Sequence, residues 1–314
     1  MRLTDEILTS SDKCHYEWVE KAYWLAAAGR FGLIPSSRPF QVSVSINKGV
    51  ADVEMLDCLA ITRGGDLIDV QYDTHYTDFM DTRVAIPETE HEALLLVMQT
   101  RSGDWEEMAE GFSMLPYSFA FLPTDEPLSG NMFPIARIVN EYGWRVDNLD
   151  FVPPCLSIKS HPYYEKALGD FLNVLYEIDT SLAQVVKSEC KVAVGIYWPL
   201  VQQLLISVDK GRDTMTPMEL LGYMQKCVSA FLCACVMDEC INLEHPEPYH
   251  EFVRCAYNDR NLHVLIKEGM ELCSSIPGRV VKFDEGGRTR HEPPCQEPVP
   301  EERKKRRMWD GKVI

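Results

Sequence analysis

Phe151-Val152-Pro153-Pro154-Cys155-Leu156-Ser157-Ile158-Lys159-Ser160-His161-Pro162 is where the chain changes character. Upstream, apolar residues recur at every second position between turn residues; downstream they recur at spacings of three and four. Two adjacent prolines offer no N–H to a central β-ladder, so this stretch leads out of a sheet. Ser160-His161-Pro162 then reads as a helix start, a hydroxyl cap followed by proline in the first turn. The chain is thereby divided near residue 160 into a strand-built half and a helix-built half.

In the first half, Pro39 to Ile46 alternates Phe40, Val42, Val44 and Ile46 against Gln41, Ser43 and Ser45, one face toward a core and one toward water. Val53 to Thr62 and Leu67 to Tyr72 flank Arg63-Gly64-Gly65-Asp66, a tight hairpin turn. Strand-like runs follow at Ala93 to Thr100, Phe112 to Leu122, Phe133 to Asn140 and Trp144 to Val146, a pattern that predicts an antiparallel sandwich or barrel. Ahead of the strands, Cys14 to Arg30 reads as one amphipathic helix with Trp18, Ala22, Leu25 and Ala26 on a common stripe, ended by Gly29 and Gly32.

In the second half, helices are predicted at Tyr163 to Val186, Val192 to Val208, Thr216 to Asn242 and Tyr249 to Ser275, enough for a bundle. Thr216-Pro217-Met218-Glu219 has capping-box spacing. From Asp284 the chain is rich in Pro, Glu, Arg and Lys and cannot bury enough to offset its ordering entropy. The expected class is α+β: an antiparallel β-sandwich with one N-terminal helix over residues 1–160, a helical bundle over 161–283 and a disordered tail over 284–314.

The composition, 46% hydrophobic and 25% charged over 314 residues, excludes a disordered, collagenous or coiled-coil chain. Net charge is −17, and residues 1–283 alone carry 23 basic against 41 acidic residues, so nucleic acid is not an expected partner. Eleven cysteines, odd in number and widely spread, read as reduced thiols of the cytosol. The start lacks a signal-peptide pattern. The longest nearly uncharged apolar run, Cys227 to Met237, is short of the roughly 18 residues a spanning helix needs, so direct membrane insertion is not expected.

Motifs for phosphate loops, nucleophile elbows, HExxH zinc sites and calcium loops do not occur. The best metal candidate is Cys240, His245, His250 and Cys255, a Cys₂His₂ set spaced five apart. Against it stands the reading of a proline-bearing interhelical loop beside buried thiols. Cys14-His15 are neighbours on a helix and do not face each other, while Glu106-Glu107 and the Asp57 and Asp69 pair could act as general acid and base only in a shared cleft and read better as a solvated face, so no enzyme and no cofactor is expected. In the tail, Lys304-Lys305-Arg306-Arg307 is a weak basic patch, while Trp309, Val313 and Ile314 have the composition of a docking peptide, weighed against plain disorder.

Phe133-Pro134-Ile135-Ala136-Arg137-Ile138-Val139, followed by Phe151 to Pro162, resembles TssK, the baseplate family of type VI secretion systems. There a P-[IV]-x-R-[IVL] strand precedes an [FY]-[IV]-P-P-x-L turn into the first long helix. Gly32-Leu33, Leu59 to Asp69, Tyr197-Trp198-Pro199-Leu200 and Ser274 to Val280 resemble further family segments in the same order, the last being the junction that ends the helical neck. The resemblance spans residues 30–283 and implies a β-sandwich shoulder, a helical neck and a homotrimer. It implies partners among TssF-, TssG- and TssE-like wedge proteins and contact with the TssJ, TssL and TssM membrane complex. It also implies assembly at the cytoplasmic face of the inner membrane, without catalysis. Phe171, Leu175, Trp198, Leu204 and Phe231 are the candidates for neck packing or trimerisation.

The sequence departs from the family at both ends. The Trp-[ED]-Gly and Pro-Gln-His-Phe opening is not recognisable in Met1 to Lys13, and a short polar tail follows Arg279 where the family has a head. A different membrane anchor reached through the tail is the corresponding expectation. The competing readings are a zinc-stabilised or metalloenzyme-like cytosolic protein using the Cys₂His₂ set, and an adaptor of a phage-like contractile particle.

Overall fold

The computed structural model describes residues 5–71, 81–100, 106–109, 112–114, 117–147, 151–185, 191–238, 245–256 and 261–289. Helix α1 (Asp5–Ala27) opens the chain. It packs Val19, Tyr23, Trp24 and Ala27 against Ile61, Leu67 and their neighbours. Glu20 on the same side accepts a hydrogen bond from the Leu67 N–H at 3.1 Å, and its burial raises its pKa above the ordinary carboxyl value. The stripe expected to be the packed face, Trp18, Ala22, Leu25 and Ala26, points away, with Trp18 70% and Leu25 77% exposed. The helix carries two apolar faces, and the one with two aromatic rings, Tyr23 and Trp24, is the one the chain itself covers.

The strands form an antiparallel sandwich. One sheet holds β1 (Gly32–Leu33), β2 (Gln41–Asn47), β3 (Val50–Ile61), β4 (Leu67–Val70) and β5 (Arg83–Ala85). Long β3 is its spine: its first half pairs with β2 and β5, its last residues with β1 and β4. The other sheet runs β11 (Trp144–Val146), β10 (Met132–Asn140), β6 (Ala93–Thr100), β9 (Tyr117–Pro123). A separate hairpin joins β7 (Glu106–Ala109) to β8 (Phe112–Met114), so the single strand expected over Phe112 to Leu122 is two.

Leu56, Cys58, Ile68, Leu96, Met98 and Phe133 fill the space between the sheets. Strand β6 is buried on both faces, because Leu95 and Val97 enter a second cluster with Leu128 on the far side. That explains its continuous apolar run. Pro134 sits within β10, and the ladder shifts register between Pro134 and Ala136 to absorb the missing donor. The expected Arg63–Asp66 hairpin turn is present, closed by Thr62 N–H to Asp66 carbonyl at 2.9 Å with Gly65 at φ +100°.

The helical half contains α2 (Pro162–Val185), α3 (Lys191–Gly211), α4 (Pro217–Asp238), α5 (Glu247–Arg254) and α6 (Leu262–Thr289). α2 and α4 each pack against both α3 and α6, which closes a bundle around one continuous core. The single helix expected over Tyr249 to Ser275 is divided into α5 and α6. α6 passes through Pro277 and beyond Asp284, where the tail was expected to begin. Cys273, Ile276 and Val280 are fully buried on either side of Pro277, and that packing offsets the lost rung.

By length and composition, Pro217–Met237 of α4 is apolar enough to cross a membrane, a longer segment than the run read from the sequence. Its Leu220, Met224, Val228 and Phe231 are fully buried in the bundle core, which accounts for that hydropathy.

Candidate interaction site at the joint

Sandwich and bundle meet at the stretch that divides the sequence. Its side chains enter every core: Phe151 packs on the Leu95 and Val97 cluster, Leu156 on the α1 cluster, and Val152 and Ile158 belong to the bundle, while Cys155 touches both the inter-sheet core and the bundle. The prolines leave few donors, and the backbone uses those that remain. Leu33 N–H donates to the Pro154 carbonyl at 2.8 Å and Leu156 N–H to the Leu33 carbonyl at 3.0 Å, one parallel bridge. Gly32 makes this approach possible. A Cβ there would lie 2.8–2.9 Å from the Cys155 backbone, and its φ of +143° is one that side-chain-bearing residues rarely adopt.

The exit from the stretch is tied to the start of α4. Ile158 N–H donates to the Met215 carbonyl at 3.0 Å, and the Ser157 hydroxyl donates to the same oxygen at 3.4 Å. The expected capping box is formed: Glu219 N–H donates to Thr216 Oγ1 at 3.2 Å, and the Glu219 carboxylate accepts from Thr216 N–H at 2.8 Å. The expected Ser160 cap is not. Ser160 Oγ is buried without a partner among the described residues, and the ring of His161 caps α2, its Nδ1 accepting from Tyr163 N–H at 3.2 Å with Pro162 as first helical residue. Desolvation, and secondarily His263, lowers the His161 pKa below its ordinary value. The Tyr163 hydroxyl donates to the His263 carbonyl at 2.8 Å, fastening α2 to α6.

Three clefts surround the joint. The first, about 340 Å³, lies between the end of α1, the Arg63 turn and the start of α4. The second, about 360 Å³, is walled by Phe40, Val44, Phe151 and His161. The third, about 180 Å³, is walled by Arg137, Phe151 and His263, and Arg137 also pairs with Asp147 at 3.3 Å.

The residues singled out in the sequence fall in three places. Phe171, Leu175, Leu204 and Phe231 lie in the chain's own bundle core, with Phe231 between the rings of Tyr197 and Tyr249 at centroid distances of 6.1 Å. Trp198 is half-buried, and its indole N–H donates to Asp179 at 2.7 Å. Among the described side chains of α3, the large apolar ones left open are instead Ile196, Leu200 and Ile206. Their signal was a helix apolar nearly all round, which the intrachain packing of one face does not exhaust.

Of the Cys₂His₂ set, His245 and His250 are exposed, Cys255 receives the Gln225 amide at 3.6 Å, and Cys240 lies outside the described residues. Among the described residues no group of three or more metal-ligating side chains converges. Cys227, Cys235 and Cys273 are buried in the bundle while Cys233 is exposed; Cys235 is pushed up to about 11 by desolvation, and Cys273 is raised by its contact with Cys227 and by burial. Trp309, Val313 and Ile314 also lie outside the described residues.

An antiparallel sandwich locked onto a helical bundle by one proline-bearing segment is the class of protein these cores define. Its particular likeness is to TssK, whose fold this chain has. TssK from the type VI secretion system of EAEC, in complex with nanobody nb18, matches with a TM-score of 0.55 and 13% identity over 87% of this chain and 68% of that one. A chain of the TssK-TssF-TssG baseplate subcomplex matches at 0.54 and 12% over 89% of this chain and 96% of that one. A crystal structure of TssK matches at 0.58 and 12% over 88% and 67%. No family model and no curated protein matches the chain.

Proposed function

We propose that the chain is a structural adaptor in the baseplate of a type VI secretion system and carries out no catalysis. The supporting observation is the likeness over sandwich and bundle together, in one alignment covering 89% of the chain, to a chain of the TssK-TssF-TssG baseplate subcomplex. Its partners on this reading are TssF-, TssG- and TssE-like wedge proteins, it acts as a homotrimer, and the assembly lies at the cytoplasmic face of the inner membrane. A membrane-side partner is reached through the tail that bears Trp309, Val313 and Ile314. Affinity comes from apolar surfaces, of which the outer stripe of α1 and the Ile196, Leu200 and Ile206 side of α3 are available.

The test is to tag the protein at its native locus, purify it under mild conditions and identify what accompanies it. Recovery of TssF-, TssG- and TssE-like proteins supports the reading, and deletion of residues 290–314 should remove the membrane-side partner alone. Recovery of no contractile-apparatus protein overturns it. Light scattering that gives a monomer at every micromolar concentration overturns the trimer.

A further inference from the structure

Charge is spread unevenly over the helices of the bundle. The chain carries 48 acidic and 31 basic residues, yet residues 192–208 of α3 include no charged side chain and residues 220–237 of α4 include only Lys226. The Lys226 ammonium lies over the Tyr223 ring, 5.1 Å from its centroid. α2 and α6 differ, for Glu165, Asp170, Glu177 and Glu271 stand exposed on them. Burial does not account for the uncharged run of α3, because Ile196, Leu200 and Ile206 are 43%, 41% and 56% exposed, and Gln202 and Gln203 are exposed beside them. Ile196, Leu200, Gln203 and Ile206 follow one another at spacings of four, three and three, so they share one face, about 15 Å long.

We propose that this face of α3 is a contact between copies of this chain, placed at the rotation axis that relates them. Near such an axis each side chain meets its own equivalents in the other copies, so a carboxylate or an ammonium there would repel itself and uncharged groups would not. Elsewhere two copies of net charge −17 oppose each other, and an acidic patch of one faces an acidic patch of the next. An unlike partner of so acidic a chain would gain from charged side chains at the contact, and a lipid surface would call for basic ones, so an uncharged face suits a second copy better than either. Gln203 is one neutral polar group within an apolar stripe; its amide can both donate to and accept from its equivalents, which fixes the register of the contact. The inference rests on the self-association in the proposed function, to which it adds the surface, and it does not depend on the wedge partners.

Sedimentation velocity on the full chain over a concentration series tests it, with Gln203→Glu, Gln203→Lys and, on the exposed face of α2, Glu165→Lys. Gln203→Glu and Gln203→Lys should both raise the concentration needed for assembly, by roughly tenfold or more, because either sign repels its own copies. Raised salt should restore part of the loss. Mixing the two variants should bring assembly back, since opposite charges then meet, and that recovery certifies both as folded. Glu165→Lys should assemble like the native chain. A native chain that is monomeric at every micromolar concentration overturns the self-association and this inference with it. Native assembly together with two unimpaired Gln203 variants overturns the face alone. So does a Gln203→Lys variant that assembles more tightly while Gln203→Glu is weakened, since the face would then meet an acidic surface instead of its equivalents. Variants that keep native circular dichroism yet stay apart on mixing overturn it as well.

Discussion

Trp18 and Leu25 stand 70% and 77% exposed on α1, whereas Phe171, Leu175 and Phe231 of the bundle have no exposed surface at all. Both sets are large apolar side chains at helical spacing on long helices, and both would be assigned to a covered face. The difference lies in who does the covering. In the bundle, α2, α3, α4 and α6 close on one another, so each stripe finds its partner within the chain. Among the described residues, α1 packs on the edge of the sandwich and on Leu156 of the joint, which cover one of its two faces. A hydrophobic period thus reports that a face is to be covered, and the topology decides whether the cover is this chain or another.

The hardest blow to that comparison is to cut the bundle core. Phe231→Ala leaves a void between Tyr197 and Tyr249, and should cost about 3–5 kcal/mol in chemical denaturation. A loss below about 1 kcal/mol would mean that the site collapses freely and that the bundle is not the rigid region. Next comes the covered face of α1. Trp24 lies against Gly65, where an added Cβ would be 3.1 Å from the indole, and it is only half-buried. Trp24→Ala should therefore cost less, about 2 kcal/mol.

The open face should cost nothing. Trp18→Ala with Leu25→Ala is expected to change stability by less than about 0.5 kcal/mol while reducing the partners recovered by affinity purification. Substantial destabilisation of the isolated protein would show that the stripe is covered within the chain after all. Unchanged partner recovery would remove α1 from the interface.

What could be read beforehand follows the same division between local and remote chemistry. The Arg63–Asp66 turn and the Thr216–Glu219 capping box were legible, because a few adjacent residues complete their hydrogen bonds. The chosen face of α1 was not, since Val19, Tyr23, Trp24 and Ala27 make an equally apolar stripe beside Trp18, Ala22, Leu25 and Ala26. The run of α6 through Pro277 was hidden for a related reason: proline signals a stop locally, and only the burial of Cys273, Ile276 and Val280 overrides it. At the site, Arg63 stood in a turn recognised for its glycines, and Arg30 at a helix end. Their convergence with Met218 on one cleft depends on the bridge between Leu33 and Cys155, remote in sequence and therefore silent in it.

The smallest effect belongs to the joint between the two regions. His161 accepts the Tyr163 N–H through Nδ1, so it caps α2 only as the neutral ring, and it faces Phe40 of the sandwich, Tyr164 of α2 and His263 of α6. Desolvation holds its folded pKa below the unfolded value of 6.5. Between those two values the unfolded chain binds the extra proton and the folded one resists it, so the stabilisation is complete above 6.5 and is lost as the pH falls below it. His161→Asn keeps an acceptor for the cap and removes the titration. Denaturant midpoints taken in steps from pH 7.5 downward should fall more steeply for the native sequence than for the variant. Parallel slopes would mean that the ring is as well hydrated in the fold as out of it, and that the joint is an open hinge between the regions instead of a buried seam.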